Sequence, residues 1–121
     1  MANKRNVIML GRDAFESIEF RTEIVELPSM GGSVRIREMT AGKRDWIESQ
    51  HATADGEITT TGLRAKFVIA SVIDDNDEFM FSEKDTGIVS KMPADAVNEI
   101  FLAAQELNGM TGDPVKDAGK N

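Results

Sequence analysis

The sequence predicts an α+β fold, mainly α, in which an N-terminal β-hairpin packs on a bundle of about four helices. Three observations predict it. Val34 and Ile36 alternate with Arg35 and Arg37, the period of two that marks a half-buried strand. Apolar residues recur at helical spacing over 62–73 and again over 93–108. Glycines and prolines punctuate the chain where one pattern gives way to the next. The length of 121 residues, with 40% hydrophobic and 29% charged, fits one folded unit. The expectation is a single α+β domain over 1–109 and a mobile C-terminal tail over 110–121, where glycines and a proline replace apolar content.

At the N-terminus, Val7 to Leu10 reads as a short strand. Asp13 to Ile18 reads as a turn or two of helix with Ala14, Phe15 and Ile18 on one side. The hairpin follows over 23–39. Val25 and Leu27 give its first strand the same alternation as the second. Pro28 ends that strand because it cannot donate to a ladder, and Gly31-Gly32 supply the backbone freedom for the reversal.

Thr40 is placed to cap a helix over 42–52, its hydroxyl accepting an orphan backbone N–H. Trp46, Ile47 and Gln50 form the inward side, and Asp55-Gly56 breaks the helix. A second helix is expected over 62–73, with Leu63, Phe67 and Ala70 on one face. Ile69, Val72 and Ile73 widen that face, which marks a central, well-buried helix. Asp74 to Glu78 forms an acidic turn, and Phe79-Met80-Phe81 an extended return. Ser82-Glu83-Lys84-Asp85 resembles a capped helix start, cut short by Gly87 and Pro93. Pro93 suits the first turn of a final helix over 93–108, which Asn108-Gly109 stops.

Several kinds of chemistry are excluded or unsupported. With no cysteine there is no disulfide and no thiolate zinc site. The single histidine, His51, reads as a solvated residue at a helix end. The acidic run fails the calcium-loop pattern, because Phe79 stands where that loop needs glycine and Asp85 where it needs glutamate. Gly31-Gly32 lacks the strand–loop–helix context of a phosphate loop. No serine has a defensible histidine and acid partner. The protein is therefore read as not an enzyme, with no cofactor and no metal. A net charge of −7 disfavours nucleic acid. No apolar run approaches bilayer length and the N-terminus lacks a secretory core, so the expected location is the cytoplasm, with no membrane partner.

What remains is surface. Arg35 and Arg37 read as the wet face of a strand or as a basic stripe for an acidic partner. The chain has seven methionines, an adaptable residue suited to binding varied partners. Met39, Met80 and Met92 read as core filling. Met30 at the loop tip and Met110 in the tail read as partner contacts. The hairpin edge is open to self-association or to an added partner strand.

In its order of elements and in particular residues the chain resembles the tail assembly chaperones of long, flexible-tailed bacteriophages and prophages, the lambda-like and HK97-like group. Leu27-Pro28, Gly31-Gly32, Val34-Arg35-Ile36-Arg37, Thr40-Ala41-Gly42 and Arg44-Asp45 carry the first part of the likeness. Leu107-Asn108-Gly109-Met110-Thr111-Gly112, Val115, Ala118 and Lys120-Asn121 carry the second. Leu63-Arg64-Ala65, Phe81-Ser82 and Asp85 lie between. The chain departs from the group in having Met30 where an aromatic residue is common, and Asn76-Asp77 where a glycine is common. The resemblance implies a protein that binds the tape-measure protein in the host cytoplasm and keeps it soluble until tail-tube subunits polymerise around it. It implies absence from the mature virion, and a longer frameshifted product that recruits the tail-tube protein. The alternative is a minor structural component of the virion, such as a head–tail connector or minor tail protein.

Overall fold

The computed structural model describes residues 7–51 and 62–110. The expected break at Asp55-Gly56 and the tail from 111 onward lie outside the described residues. The elements run α1 (Arg12–Glu16), β1 (Thr22–Leu27), a 3₁₀ turn (Pro28–Met30), β2 (Gly32–Arg37), α2 (Ala41–His51), α3 (Leu63–Ser71), β3 (Val72–Ile73), α4 (Thr86–Val89) and α5 (Ala94–Leu107). The antiparallel hairpin and the helices packed against it give the mixed α+β fold that the patterns predict. α2, α3 and α5 are its long helices, and α1 and α4 are single turns.

The hairpin register pairs Thr22 with Arg37 at its open end and Leu27 with Gly32 at its tip. Gly31 takes φ 72°, a left-handed conformation that glycine adopts freely. Val25, Leu27 and Ile36 turn to one side of the sheet and are buried there, the outcome expected from alternation. Thr40 Oγ1 accepts the Lys43 N–H at 3.0 Å, so the predicted cap of α2 forms. On α2 the inward positions are Ile47 and His51, one helical turn apart, while Gln50 is exposed. His51 is 2% exposed, and its reading as a solvated residue is thus corrected.

α3 is the buried centre, with Leu63, Ala65 and every residue from Phe67 to Ser71 shielded from solvent. The Phe67 ring meets that of Phe101 on α5 edge to face, with centroids 4.8 Å apart and planes at 76°. The helix ends two residues sooner than its apolar run suggests. Val72 turns extended, and Val72 and Ile73 form β3, pairing with Ile36 and Arg35 of β2. Both are β-branched, which suits a pleated strand better than a helix. Of the return expected over 79–81, Phe79 alone pairs, bridging to Ile73; Met80 and Phe81 lie in bends, with the Met80 N–H donating to Val72 O at 3.0 Å.

The acidic turn closes on itself, since Asp74 Oδ1 accepts the N–H groups of Asn76 and Glu78. Asp77 there has φ 63°, a region glycine enters more easily than aspartate. At Ser82 the acid half of the capping pattern forms, with its N–H donating to Asp85 Oδ2 at 2.8 Å. It closes a turn, and α4 starts only after Asp85. Met39 and Met92 pack on the core as expected, whereas Met80 is 47% exposed and does not.

The C-terminus of α5 is a Schellman motif. The Met110 N–H donates to Gln105 O at 2.7 Å and the Gly109 N–H to Glu106 O at 3.1 Å, with Gly109 at φ 71°. This motif folds the residue after the glycine back on the last turn. Met110 is accordingly 9% exposed and belongs to the core. Its placement in the tail, with its side chain free for a partner, is corrected.

Arg21 ties this end of α5 to the open end of the hairpin. Its Nη2 donates to Leu107 O at 2.8 Å and to Glu38 Oε2 at 2.9 Å, while its own N–H donates to Glu38 Oε1 at 2.8 Å. The side-chain bond from Arg21, with the backbone N–H beside it, holds the Glu38 carboxyl below the usual carboxylate range. A depressed carboxyl contributes stability that is complete above the unfolded-state value and is lost as pH falls through the folded one. Glu38→Gln should therefore flatten part of the loss of stability seen on acidification below about pH 4.5, close to the ordinary glutamate value. Urea unfolding midpoints measured down that limb for both proteins check it.

Candidate functional site: the outer sheet face and the leading arm

One face of the sheet meets the helices. The other carries Thr22, Ile24, Arg35, Arg37 and Ile73, brought side by side by the two pairing registers. Ile24 is 66% exposed there. The segment 18–20 lies along this face and, with Arg35, Arg37, Ile73 and Asp77, encloses a recess of about 410 Å³.

The two arginines are half-buried on this face and partnered there. Arg35 forms an ion pair with Asp77 of the acidic turn. The Arg37 guanidinium lies 4.3 Å from the ring centres of both Phe20 and Phe79. Lys43 of α2 is 4.8 Å from the Phe79 ring centre and 5.9 Å from that of Trp46, and its ammonium also reaches Glu83 at 3.8 Å. Cations and rings thus form a continuous series of contacts from segment 18–20 through β2 to α2. The Nε atoms of Arg35 and Arg37 are buried and have no hydrogen-bond partner.

The structure brings Arg35 and Arg37 together and leaves the other candidate contacts apart. Met30 is 52% exposed at the hairpin tip. It stands at the opposite end of the hairpin from Arg37, roughly five residue steps or ~17 Å away at strand spacing. Met110 is inside the core. Sequence reasoning missed Phe20, Phe79 and Asp77. The signal for Phe20 was present, because Ile18 and Phe20 alternate with Glu19 and Arg21 ahead of β1.

A second feature adjoins this face. Every residue from Val7 to Glu19 is exposed. Val7, Ile8, Met9 and Leu10 have no regular structure, where a strand was expected, and lie between 64% and 84% exposed. α1 buries none of its residues, although Phe15 is on it. Its local supports are the Arg12–Glu16 ion pair and the bonds of Ser17 to Asp13 O. Helical turns this short do not hold in water without packing. Exposed large apolar side chains are thus concentrated in this one arm.

Among the described residues no group of three or more His, Asp or Glu side chains could hold a metal ion. No helix of the described residues is long and apolar enough to cross a membrane.

No family model and no curated protein matches the chain. Among solved structures it is similar to the one described as the structure of the bacteriophage HK97 tail assembly chaperone. The two share 16% of their residues over 73% of this chain and 85% of that one, with a TM-score of 0.58. At that identity the likeness is one of architecture: this chain has the fold of a phage tail assembly chaperone.

Proposed function

We propose that the protein is a phage tail assembly chaperone that binds the tape-measure protein and keeps it soluble until tail-tube subunits polymerise around it. The observation that carries the reading, beside the shared fold, is the arm over 7–18. There Val7, Ile8, Met9, Leu10, Phe15 and Ile18 are each more than half exposed. A holdase has to offer apolar surface to apolar helices without committing to one tight shape, and an arm with little packing of its own can adapt as it binds. The net charge of −7 keeps the complex dispersed while that surface is occupied. In this reading the protein acts in the host cytoplasm and leaves before the virion is complete. The tail-tube protein is its second partner, recruited through a longer frameshifted product.

Co-expression with the neighbouring tape-measure gene is expected to raise the soluble yield of that protein several-fold and to co-purify the two. The triple variant Ile8→Asp, Phe15→Asp, Ile18→Asp changes residues that contribute little to the core, so it should fold normally and lose the effect. An unchanged tape-measure yield with no co-purification, or presence of the chain in purified particles, overturns the reading.

A further inference from the structure

We propose that the recess beside Arg37 is a binding site for a single carboxylate, the side chain of an aspartate or glutamate presented by a protein partner. The proposal holds for any protein partner and does not depend on the tape-measure reading.

Arg37 stands out by what it lacks. Of the other described arginines, four form ion pairs, and Arg64 donates to Asn98 Oδ1. Arg37 has neither an ion pair nor a hydrogen bond among the described residues, in a chain that carries 21 acidic side chains against 14 lysines and arginines. The rings of Phe20 and Phe79 approach its guanidinium at 4.3 Å. They attract the charge, yet they do not satisfy the N–H donors, which lie in the plane of the group and point to its rim. Contact with two rings fixes that plane. A carboxylate approaching the rim therefore meets a fork already in place, and less side-chain freedom is lost on binding.

The surroundings fit this ligand. About 410 Å³ is ample for an acidic side chain and part of its neighbour. Ile18, 55% exposed on the wall, offers footing to an adjoining apolar residue. The charged groups facing the recess are Arg35, Arg37, Asp77 and Glu19. Arg35 and Asp77 neutralise each other. Glu19 forms no bridge to Arg37 and is exposed, so solvent screens its repulsion. A carboxylate carries one charge and matches Arg37, the one arginine among the described residues with neither an ion pair nor a hydrogen bond. A phosphate would add surplus negative charge to a chain already at −7.

The test uses the full chain labelled with nitrogen-15, following the arginine Nε–H signals during titration with N-acetyl-Leu-Glu-Leu-amide. N-acetyl-Leu-Gln-Leu-amide and inorganic phosphate form the other two arms. The Arg37 signal is expected to move saturably with the glutamate peptide, and the glutamine peptide to bind at least about ten-fold more weakly. Arg37→Gln should abolish the response, and Phe20→Leu should weaken it several-fold with an unchanged amide spectrum. No movement at Arg37, equal binding of the two peptides, or a response that survives Arg37→Gln overturns the proposal. Phosphate binding tighter than the glutamate peptide overturns the assignment to a protein carboxylate. If Arg37→Gln fails to fold, the peptide pair on the unaltered chain decides the matter alone.

Discussion

Phe67→Ala is expected to lower stability by about 3–5 kcal/mol, the range for removing a buried aromatic ring. Small domains have about 5–15 kcal/mol in total, so the variant should sit near the edge of folding. The cost falls at the high end because the site cannot readily collapse. Phe67 is 2% exposed, on the helix shielded along nearly its whole length. That helix is anchored at its end by β3, which is paired into the sheet. Its ring is also one half of the edge-to-face pair with Phe101, and that contact is lost with it. Equilibrium urea unfolding, with the slope checked for two-state behaviour, measures the change. A loss under about 1 kcal/mol would mean that the ring is not packed as described.

Asn108→Ala should cost about 2–3 kcal/mol although the residue follows the last turn of a helix and is only half-buried, because it removes two bonds and strands a donor. Its Nδ2 donates at 2.7 Å to Ala104 O, which also accepts the Asn108 backbone N–H at 3.0 Å, and its Oδ1 accepts the Met39 N–H at 2.9 Å. The second bond joins α5 to the chain just after β2. With alanine there, the Met39 N–H is left without its acceptor in a partly buried place. Asn108→Asp keeps the acceptor, loses the donor and adds a negative charge at a helix C-terminus, where the dipole opposes it. It should fall between wild type and Asn108→Ala. Thermal and urea unfolding of the three proteins test the order. Equal stability for all three would remove the side chain from any role in joining the elements.

The parts of the fold legible in sequence are those fixed by local chemistry. Alternation over 23–27 and 33–37 located the hairpin and its buried side. Thr40 capped α2, Pro93 preceded α5 and Asn108-Gly109 ended it, because each is decided within a turn of backbone. Val72 and Ile73 were misread as helix because their strand consists of two residues, and its partners lie on β2. No window of apolar period detects a strand that short. His51 and Met110 are different, for the rules that place them are local. His51 follows Ile47 by one helical turn, and Met110 occupies the position after a Schellman glycine. The site was legible only in part. Arg35 and Arg37 could be named, but their surroundings come from Phe20, Asp77 and Phe79, distant in sequence and gathered by the sheet.

Trp46 has a consequence of a practical kind. It is the one tryptophan in a chain with no tyrosine, so ultraviolet emission excited at the red edge comes from a single indole. That indole sits half-buried on α2, packed on the core and within 5.9 Å of the Lys43 ammonium. The molecule thus carries its own optical gauge. Colour and intensity of the emitted light report the seating of α2, and the coming and going of anything bound beside it, in unlabelled material and in real time.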